Sequence, residues 1–239
     1  MRMNTNNSPL GADKQHCVTA LLPMKNNSQR VPNKNIRLFA DKPLFFHIVE
    51  TLSGCNSIET VLINTDSSRI AEMAKTFPKV RIIQRPQDIC GDMVPMNSII
   101  NHDLAFAETE HILQTHATNP LLSPASVERA IDMYFSGLNV YDSLFTVTKW
   151  QTRFYWQDGT PVNHNPKELL QTQDLPALYE ENSCLYLFSQ SGFKAAGNKR
   201  IGNNPQMFPL SALEAIDIDE EEDFVLAELM AMRLKRASP

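Results

Sequence analysis

Glycine is scarce in this chain, eight residues in 239, and none falls between Gly11 and Gly54. The loop after the first apolar run therefore cannot be a G-x-x-x-x-G-K-[ST] or G-x-G-x-x-G phosphate cradle. Long apolar runs are also missing, and none is long enough to span a bilayer. The opening residues, MRMNTNNSPLGADKQH, lack the apolar core of a signal peptide. Cys17, Cys55, Cys90 and Cys184 are scattered with no C-x-x-C pair, which speaks against a zinc or disulfide framework. They read as reduced thiols of a cytoplasmic protein. Positive charge is in deficit, 22 Lys and Arg against 27 Asp and Glu, for a net charge of −5. That balance argues against nucleic acid as the main partner. There is no internal repeat and no low-complexity tract.

What is present suits a globular enzyme. The apolar fraction is 42%, enough to build a sizeable core at this length. One domain is expected over 17–239, after a polar and disordered tail over 1–16. Short apolar runs at 17–22, 60–64, 80–83, 111–114, 143–148, 186–188 and 207–210 read as strands. Helical patterns fall between them, at 43–52, 68–75, 97–108, 123–137 and 189–195, and a last helix covers 224–236. Such alternation predicts a mostly parallel sheet with crossover helices, an α/β sandwich of three layers. The pattern breaks from about 149 to 180. There Trp150, Phe154, Tyr155 and Trp156 cluster ahead of an Asp158-Gly159 turn, which reads as an inserted arm.

The first strand stops at Pro23 and gives way to a polar loop. From Lys25 to Lys42 lie Lys25, Arg30, Lys34, Arg37 and Lys42 against one acid, Asp41. Open α/β sheets bind ligands at the carboxyl ends of their strands. Cations placed there favour a polyanion such as a nucleoside triphosphate. Asn26 and Asn27 stand where glycines would be expected, and Asn tolerates a left-handed backbone better than most residues. A solvated basic loop is the plain alternative. Near the other end, Asp217 and Asp219 alternate along an extended run and share a face. Two carboxylates there can hold Mg²⁺ together with triphosphate oxygens. The alternative is that Asp219 caps the last helix.

The order of residues in the loop resembles the signature of the acylneuraminate cytidylyltransferase family, a strand followed by A-R-x-x-S-[KR]-x-[IV]-x-x-K-N. The chain reads Met24-Lys25-Asn26-Asn27-Ser28-Gln29-Arg30-Val31-Pro32-Asn33-Lys34-Asn35 in that frame. Ser28, Lys34 and Asn35 match, Lys25 replaces an arginine, and the next basic residue is displaced to Arg30. Thr65-Asp66, Arg85-Pro86 and Asp92 continue the likeness, followed by Met96-Asn97-Ser98 at a helix start. Thr118, Pro120 and Leu121 match the loop after the fourth strand, where His116 replaces a glutamine. Asn182 and Tyr186 match a later strand, and Asp217 and Asp219 an I-D-x-x-x-D element. Two family arginines are replaced, by Thr172 and Glu180.

The resemblance implies a nucleotide-diphospho-sugar-transferase-like fold with a dimerisation arm. It implies transfer of CMP from CTP to a small anionic acceptor with release of pyrophosphate, in a homodimer that uses Mg²⁺. Met24, Lys25, Asn26, Ser28, Arg30, Lys34, Asn35, Arg85, Asp92 and Asn97 become nucleotide-contact candidates. His116, Thr118, Asn182 and Tyr186 become acceptor candidates, with His116 a hydrogen-bond donor, a general base or a capped loop residue. Lys25, Lys34 and Asp217 are the candidate catalytic groups, and Asp217 and Asp219 the metal ligands. The missing arginines keep a second acceptor class open, a phosphonate or a different keto-acid sugar. A non-catalytic nucleotide-binding protein of the same fold is the third reading.

Overall fold

The computed structural model describes residues 16–26 and 28–237. The expected tail over 1–16 therefore lies outside the described residues, apart from His16. That ring stacks on Phe135 with centroids 4.5 Å apart. The expected turn role of Asn27 also lies outside them.

Seven strands form the main sheet: β1 (Val18–Leu21), β4 (Ile58–Thr65), β5 (Val80–Gln84), β6 (His111–Thr115), β7 (Ser143–Trp150), β8 (Leu178–Ser189) and β9 (Pro205–Leu210). Their spatial order is β5-β4-β1-β6-β8-β7-β9. Only β8 runs antiparallel to its neighbours; all other pairings are parallel. A small antiparallel pair, β2 (Leu38–Phe39) and β3 (Lys42–Pro43), lies apart. The described residues form six α-helices: α1 (Leu44–Ser53), α2 (Ser68–Ala74), α3 (Met96–Asp103), α4 (Pro124–Gly137), α5 (Gln190–Ala195) and α6 (Glu221–Ala237). The α3 helix ends five residues earlier than its pattern suggested, in a 3-10 turn over Leu104–Phe106.

The period of two along β1 divides the core. Val18, Ala20 and Leu22 face a cluster built with α1 and α4, including Phe45, Ile48, Val127 and Ile131. Leu21 faces the opposite cluster with Ile100, Tyr186 and Phe193. Both faces of the central strands are buried, as a parallel sheet requires. Local signals fix the helix starts. The hydroxyls of Ser67, Ser123 and Ser189 accept hydrogen bonds from Ile70, Ser126 and Gly192 amides, and Pro124 follows its cap directly.

A third apolar cluster positions the site. Val31 and Phe39 from the basic loop region pack with Leu121, Ile218, Phe224 and Ala227. It fastens the loop after β1, the loop after β6 and the start of α6 to one another. Ile218 is fully buried and its N–H donates to the Thr118 carbonyl at 2.9 Å. The residues on either side of it, Asp217 and Asp219, thus turn away from this core. They lie on an extended segment that pairs with no strand.

The expected arm runs over 151–177, shorter than its pattern suggested because β7 extends to Trp150 and β8 begins at Leu178. Its tip is a hairpin in which Gly159 takes φ 84°. The Gly159 N–H donates to the Trp156 carbonyl at 2.9 Å. Two of the arm's aromatics stand out into solvent, Tyr155 55% and Trp156 64% exposed.

Candidate active site

A cavity of about 470 Å³ opens at the carboxyl ends of the central strands. Its walls come from four loops and the first turn of α3. The loop after β1 brings Met24, Lys25, Ser28, Arg30, Lys34 and Asn35; the loop after β5 brings Arg85 and Asp92. The loop after β6 contributes His116 and Thr118, and the segment before α6 contributes Asp219. These residues are far apart in sequence and meet because consecutive parallel strands end on the same side.

The basic run divides by direction. Arg37 turns to α6, where it grips Glu221 through two hydrogen bonds of 2.6 Å and lies over the Phe224 ring. Lys42 pairs with Glu50. Lys25, Arg30 and Lys34 face the cavity. Each meets an acid there: Lys25 pairs with Asp92, and Arg30 reaches Asp219 at 2.7 Å and Glu220 at 3.0 Å. The Arg30 side chain is 54% exposed, so its pairs contribute little to stability and are easily exchanged for a better anion. Lys34 is different. Its side chain is only 11% exposed, and its Nζ donates to the Ile218 carbonyl at 2.5 Å and lies 3.9 Å from Asp219. Burial pushes the Lys34 pKa down, while Asp219 and Asp217 pull it back up.

Asp217 lies behind the wall rather than on it. Burial raises its pKa and nearby Asp219 adds to the rise, against a hydrogen bond from Thr118 and the charge of Lys34. Its Oδ1 is sealed from solvent and has no hydrogen-bond partner. A buried carboxylate oxygen without a donor is costly unless a cation completes it. Among the described residues no group of three or more His, Cys, Asp or Glu is arranged to hold a metal. Mg²⁺ commonly takes only one or two protein carboxylates and completes its shell with water and phosphate oxygens. The pair Asp217 and Asp219 fits that donor set. Asp219 does not cap α6: its side chain goes to Arg30, and the Asp223 carboxylate accepts the Asp219 and Glu220 N–H groups at 3.1 and 2.8 Å.

His116 is held as a neutral ring. Its Nε2 lies 3.2 Å from Gln114 Nε2 and 3.4 Å from Arg200 Nη1, two donors. The Gln114 amide is oriented by its other bonds, from Arg200 to Oε1 at 2.7 Å and from Nε2 to the Thr115 carbonyl at 2.8 Å. The lone pair of His116 is therefore at Nε2 and its proton at Nδ1. Burial, with Arg200 and Lys34 nearby, pushes its pKa down to about 4. With Nε2 facing these two donors, the ring proton of His116 sits at Nδ1. In an NMR titration the His116 ring should not protonate between pH 8 and pH 5; a midpoint near 6.5, the ordinary value, would contradict this arrangement.

Four of the expected contact residues, Asn26, Asn97, Asn182 and Tyr186, stand off the cavity wall. Asn97 does not line the cavity, and its Oδ1 is sealed inside the protein; the neighbouring Met96 and Ile99 form the wall. Asn26 is not on the wall, and its N–H donates to Asp66 at 2.7 Å. Among the described residues of the loop, Asn33 takes a left-handed backbone, with φ 56°. Asn182 shapes a bulge in β8: its Nδ2 donates to Thr148 Oγ1 at 3.1 Å, and its Oδ1 accepts the Cys184 N–H at 3.3 Å. Tyr186 is fully buried beneath the site. Burial pushes its hydroxyl up to about 12, and that hydroxyl donates to Glu181.

Arg85 reaches the cavity wall with a fixed side chain. It is buried, and its Nε and Nη2 donate to Asn64 Oδ1 at 2.6 Å and Asn64 O at 3.0 Å. Asn64 in turn donates to the buried Asp103 at 2.5 Å. Sequence reasoning missed Asn64, Asp103, Gln114 and Arg200. The available signal was polar residues inside apolar strands, Asn64 in β4 and Gln114 in β6, since a buried amide needs partners.

A family model described as "Cytidylyltransferase" matches residues 19–235. CMP-N,N'-diacetyllegionaminic acid synthase of Legionella pneumophila is 26% identical over 225 residues, covering 88% of this chain and 94% of that protein. N-acylneuraminate cytidylyltransferase A of Danio rerio is 24% identical over 235 residues, covering 95% of this chain. The chain spans about half, 53%, of the length of the Danio rerio protein. Among solved structures, CMP:2-keto-3-deoxy-manno-octonic acid synthetase complexed with CTP superposes with a TM-score of 0.65 at 12% identity, covering 91% of this chain and 99% of that one. That likeness is one of fold.

Proposed function

We propose an acceptor and a chemistry for this chain, which belongs to the cytidylyltransferase family and is thereby a nucleotidyltransferase. The donor is CTP, and the acceptor is a keto-acid sugar of the nonulosonate class, activated as its CMP derivative. One observation carries this reading. Lys25, Arg30 and Lys34 converge on a cavity that also holds Asp219, with Asp217, whose Oδ1 has no partner, behind it. The names of the relatives favour a sugar acid over a phosphonate as acceptor.

In this reading the acceptor hydroxyl oxygen attacks the α-phosphorus of CTP, and the bond to pyrophosphate breaks in line. Lys25, Arg30 and Lys34 exchange their acid partners for triphosphate oxygens, each charge-assisted bond contributing about 1.5–3 kcal/mol. Asp217 and Asp219 would hold Mg²⁺, which would offset negative charge on the phosphates. His116 donates from Nδ1 toward the acceptor. Arg85, locked by Asn64 and Asp103, presents a fixed face to the nucleoside. The protein's share of catalysis is then positioning and electrostatics, with no covalent intermediate. The test is pyrophosphate release from CTP across a panel of acidic keto sugars. Release that depends on both CTP and a sugar acid is expected; no release with any sugar acid would overturn the reading.

The arm belongs to the same proposal. Trp150, Tyr155, Trp156 and Leu169 are exposed on or beside one excursion from the sheet, with Leu169 96% accessible. Apolar patches of this kind mark interfaces. A homodimer joined through the arm is expected in sedimentation at micromolar concentration, and Trp156→Ser should shift it toward monomer. A wild-type chain that sediments only as monomer would rule out the arm as a dimer contact.

A further inference from the structure

We propose that Arg200 anchors the carboxylate of the acceptor, an inference that rests on the sugar-acid reading above. Arg200 stands between α5 and β9, on a segment fixed from below. The Asp142 carboxylate accepts the Asn203 and Asn204 N–H groups at 2.7 and 3.1 Å, and Gly202 donates to Ser143 Oγ at 2.9 Å. Gly202 has to be glycine there, because a Cβ would meet the Asp142 carboxylate at 2.1 Å.

From this base the guanidinium reaches across the sheet. Its Cζ lies 3.7 Å from the centre of the Tyr186 ring. Nη1 donates to Gln114 Oε1 at 2.7 Å and Nη2 to the Tyr186 hydroxyl at 2.9 Å. Both partners are neutral. Arg30 and Arg37 each hold carboxylates, but no acid among the described residues pairs with Arg200. Glu181 acts on it only at a distance, being bonded to the Tyr186 hydroxyl instead. A part-buried cation without a counter-ion is costly, and a ligand anion offsets that cost.

The free donors have the right form for a carboxylate. Nε–H and the second Nη2 hydrogen have no protein acceptor, and Nε is not among the polar atoms sealed from solvent. A guanidinium offers such donors in a planar fork that matches the two carboxylate oxygens. Stacking on Tyr186 and the bond to Gln114 hold the fork in advance, which lowers the ordering cost on binding. Its place also fits. Nη1 lies 3.4 Å from His116 Nε2, and His116 is part of the cavity wall. Arg200 is not itself on that wall but stands behind His116, so the acceptor, lying beside the nucleotide, extends past His116 to bring its carboxylate to Arg200.

The test uses the full chain with CTP and two probes, N-acetylneuraminic acid and 2-keto-3-deoxy-manno-octonic acid, taking the better acceptor together with its C1 carboxamide. Arg200→Gln is expected to raise the KM for the acid about 10- to 100-fold while the Kd for CTP stays unchanged. Arg200→Lys, which keeps the charge and loses the fork, should fall between. The carboxamide should be a poor acceptor for the wild type and no worse for Arg200→Gln. Equal losses of acid and carboxamide in Arg200→Gln would mean that Arg200 only supports the sheet, and would overturn the inference alone. An unchanged KM for the acid would do the same. If the wild type binds CTP but uses neither acid, the acceptor reading fails and the anchor fails with it.

Discussion

Asp217→Asn is expected to abolish Mg²⁺-dependent transfer, a fall of orders of magnitude in rate, in a protein that remains as stable as the wild type. The structure gives two separate reasons. Asn keeps the size of the side chain and one oxygen for the hydrogen bond from Thr118, but loses the charge that a divalent ion needs. Burial raises the Asp217 pKa above its ordinary value, so the ionised form destabilises the fold at neutral pH, and the penalty is relieved only as pH falls through that raised value. A neutral Asn removes the penalty, and the melting temperature should hold or rise. A purely structural carboxylate would behave in the opposite way. Its loss would lower the melting temperature by about 2–4 °C per kcal/mol for a chain of this size, while the folded fraction kept turning over. Activity, Mg²⁺ titration and melting on one sample separate these outcomes. Full activity per folded molecule would remove Asp217 from the metal site.

The sheet was legible because its strands are short apolar runs with polar ends, and because helices alternate with them. The antiparallel β8 was not: strand direction depends on partners, and the pattern of Leu185 to Phe188 is the same for either direction. The basic loop was legible as charge out of keeping with an acidic chain, and Asp217 and Asp219 as alternating carboxylates on an extended run. Which of their members faces the cavity was not, since Arg37 and Lys42 carry the same charge as Lys34 yet turn to Glu221 and Glu50. Asn182 and Tyr186 lie in the expected strand, but neither stands on the cavity wall. A bulge in β8, with Ser183 at φ 58°, turns Asn182 onto the backbone and leaves Tyr186 beneath the site. Bulges shift which residues face a ligand, and their sequence signals are weak. Arg200 was invisible because its meaning lies in what it meets, Gln114 and Tyr186, both distant in sequence.

The second large effect is expected at Lys34. Lys34→Met should weaken CTP binding about 10- to 100-fold, the loss of one charge-assisted bond at 1.5–3 kcal/mol. Turnover at low CTP should fall with it. Met is the informative replacement because the Lys34 stem is packed, with only 11% of the side chain exposed, and Met preserves most of that contact. The fold should lose little. The charged form of Lys34 is disfavoured by burial, so removing it relieves a penalty that offsets the lost bond to the Ile218 carbonyl. Arg30 offers the internal comparison. Its side chain is 54% exposed and already paired with Asp219 and Glu220, so Arg30→Met should weaken CTP binding less than Lys34→Met. Calorimetric titration with CTP, alongside a melting curve for each variant, decides the matter. Unchanged CTP affinity in Lys34→Met would show that the loop after β1 does not hold the triphosphate. A melting temperature lowered by many degrees with affinity intact would make Lys34 a structural tie between that loop and the segment before α6.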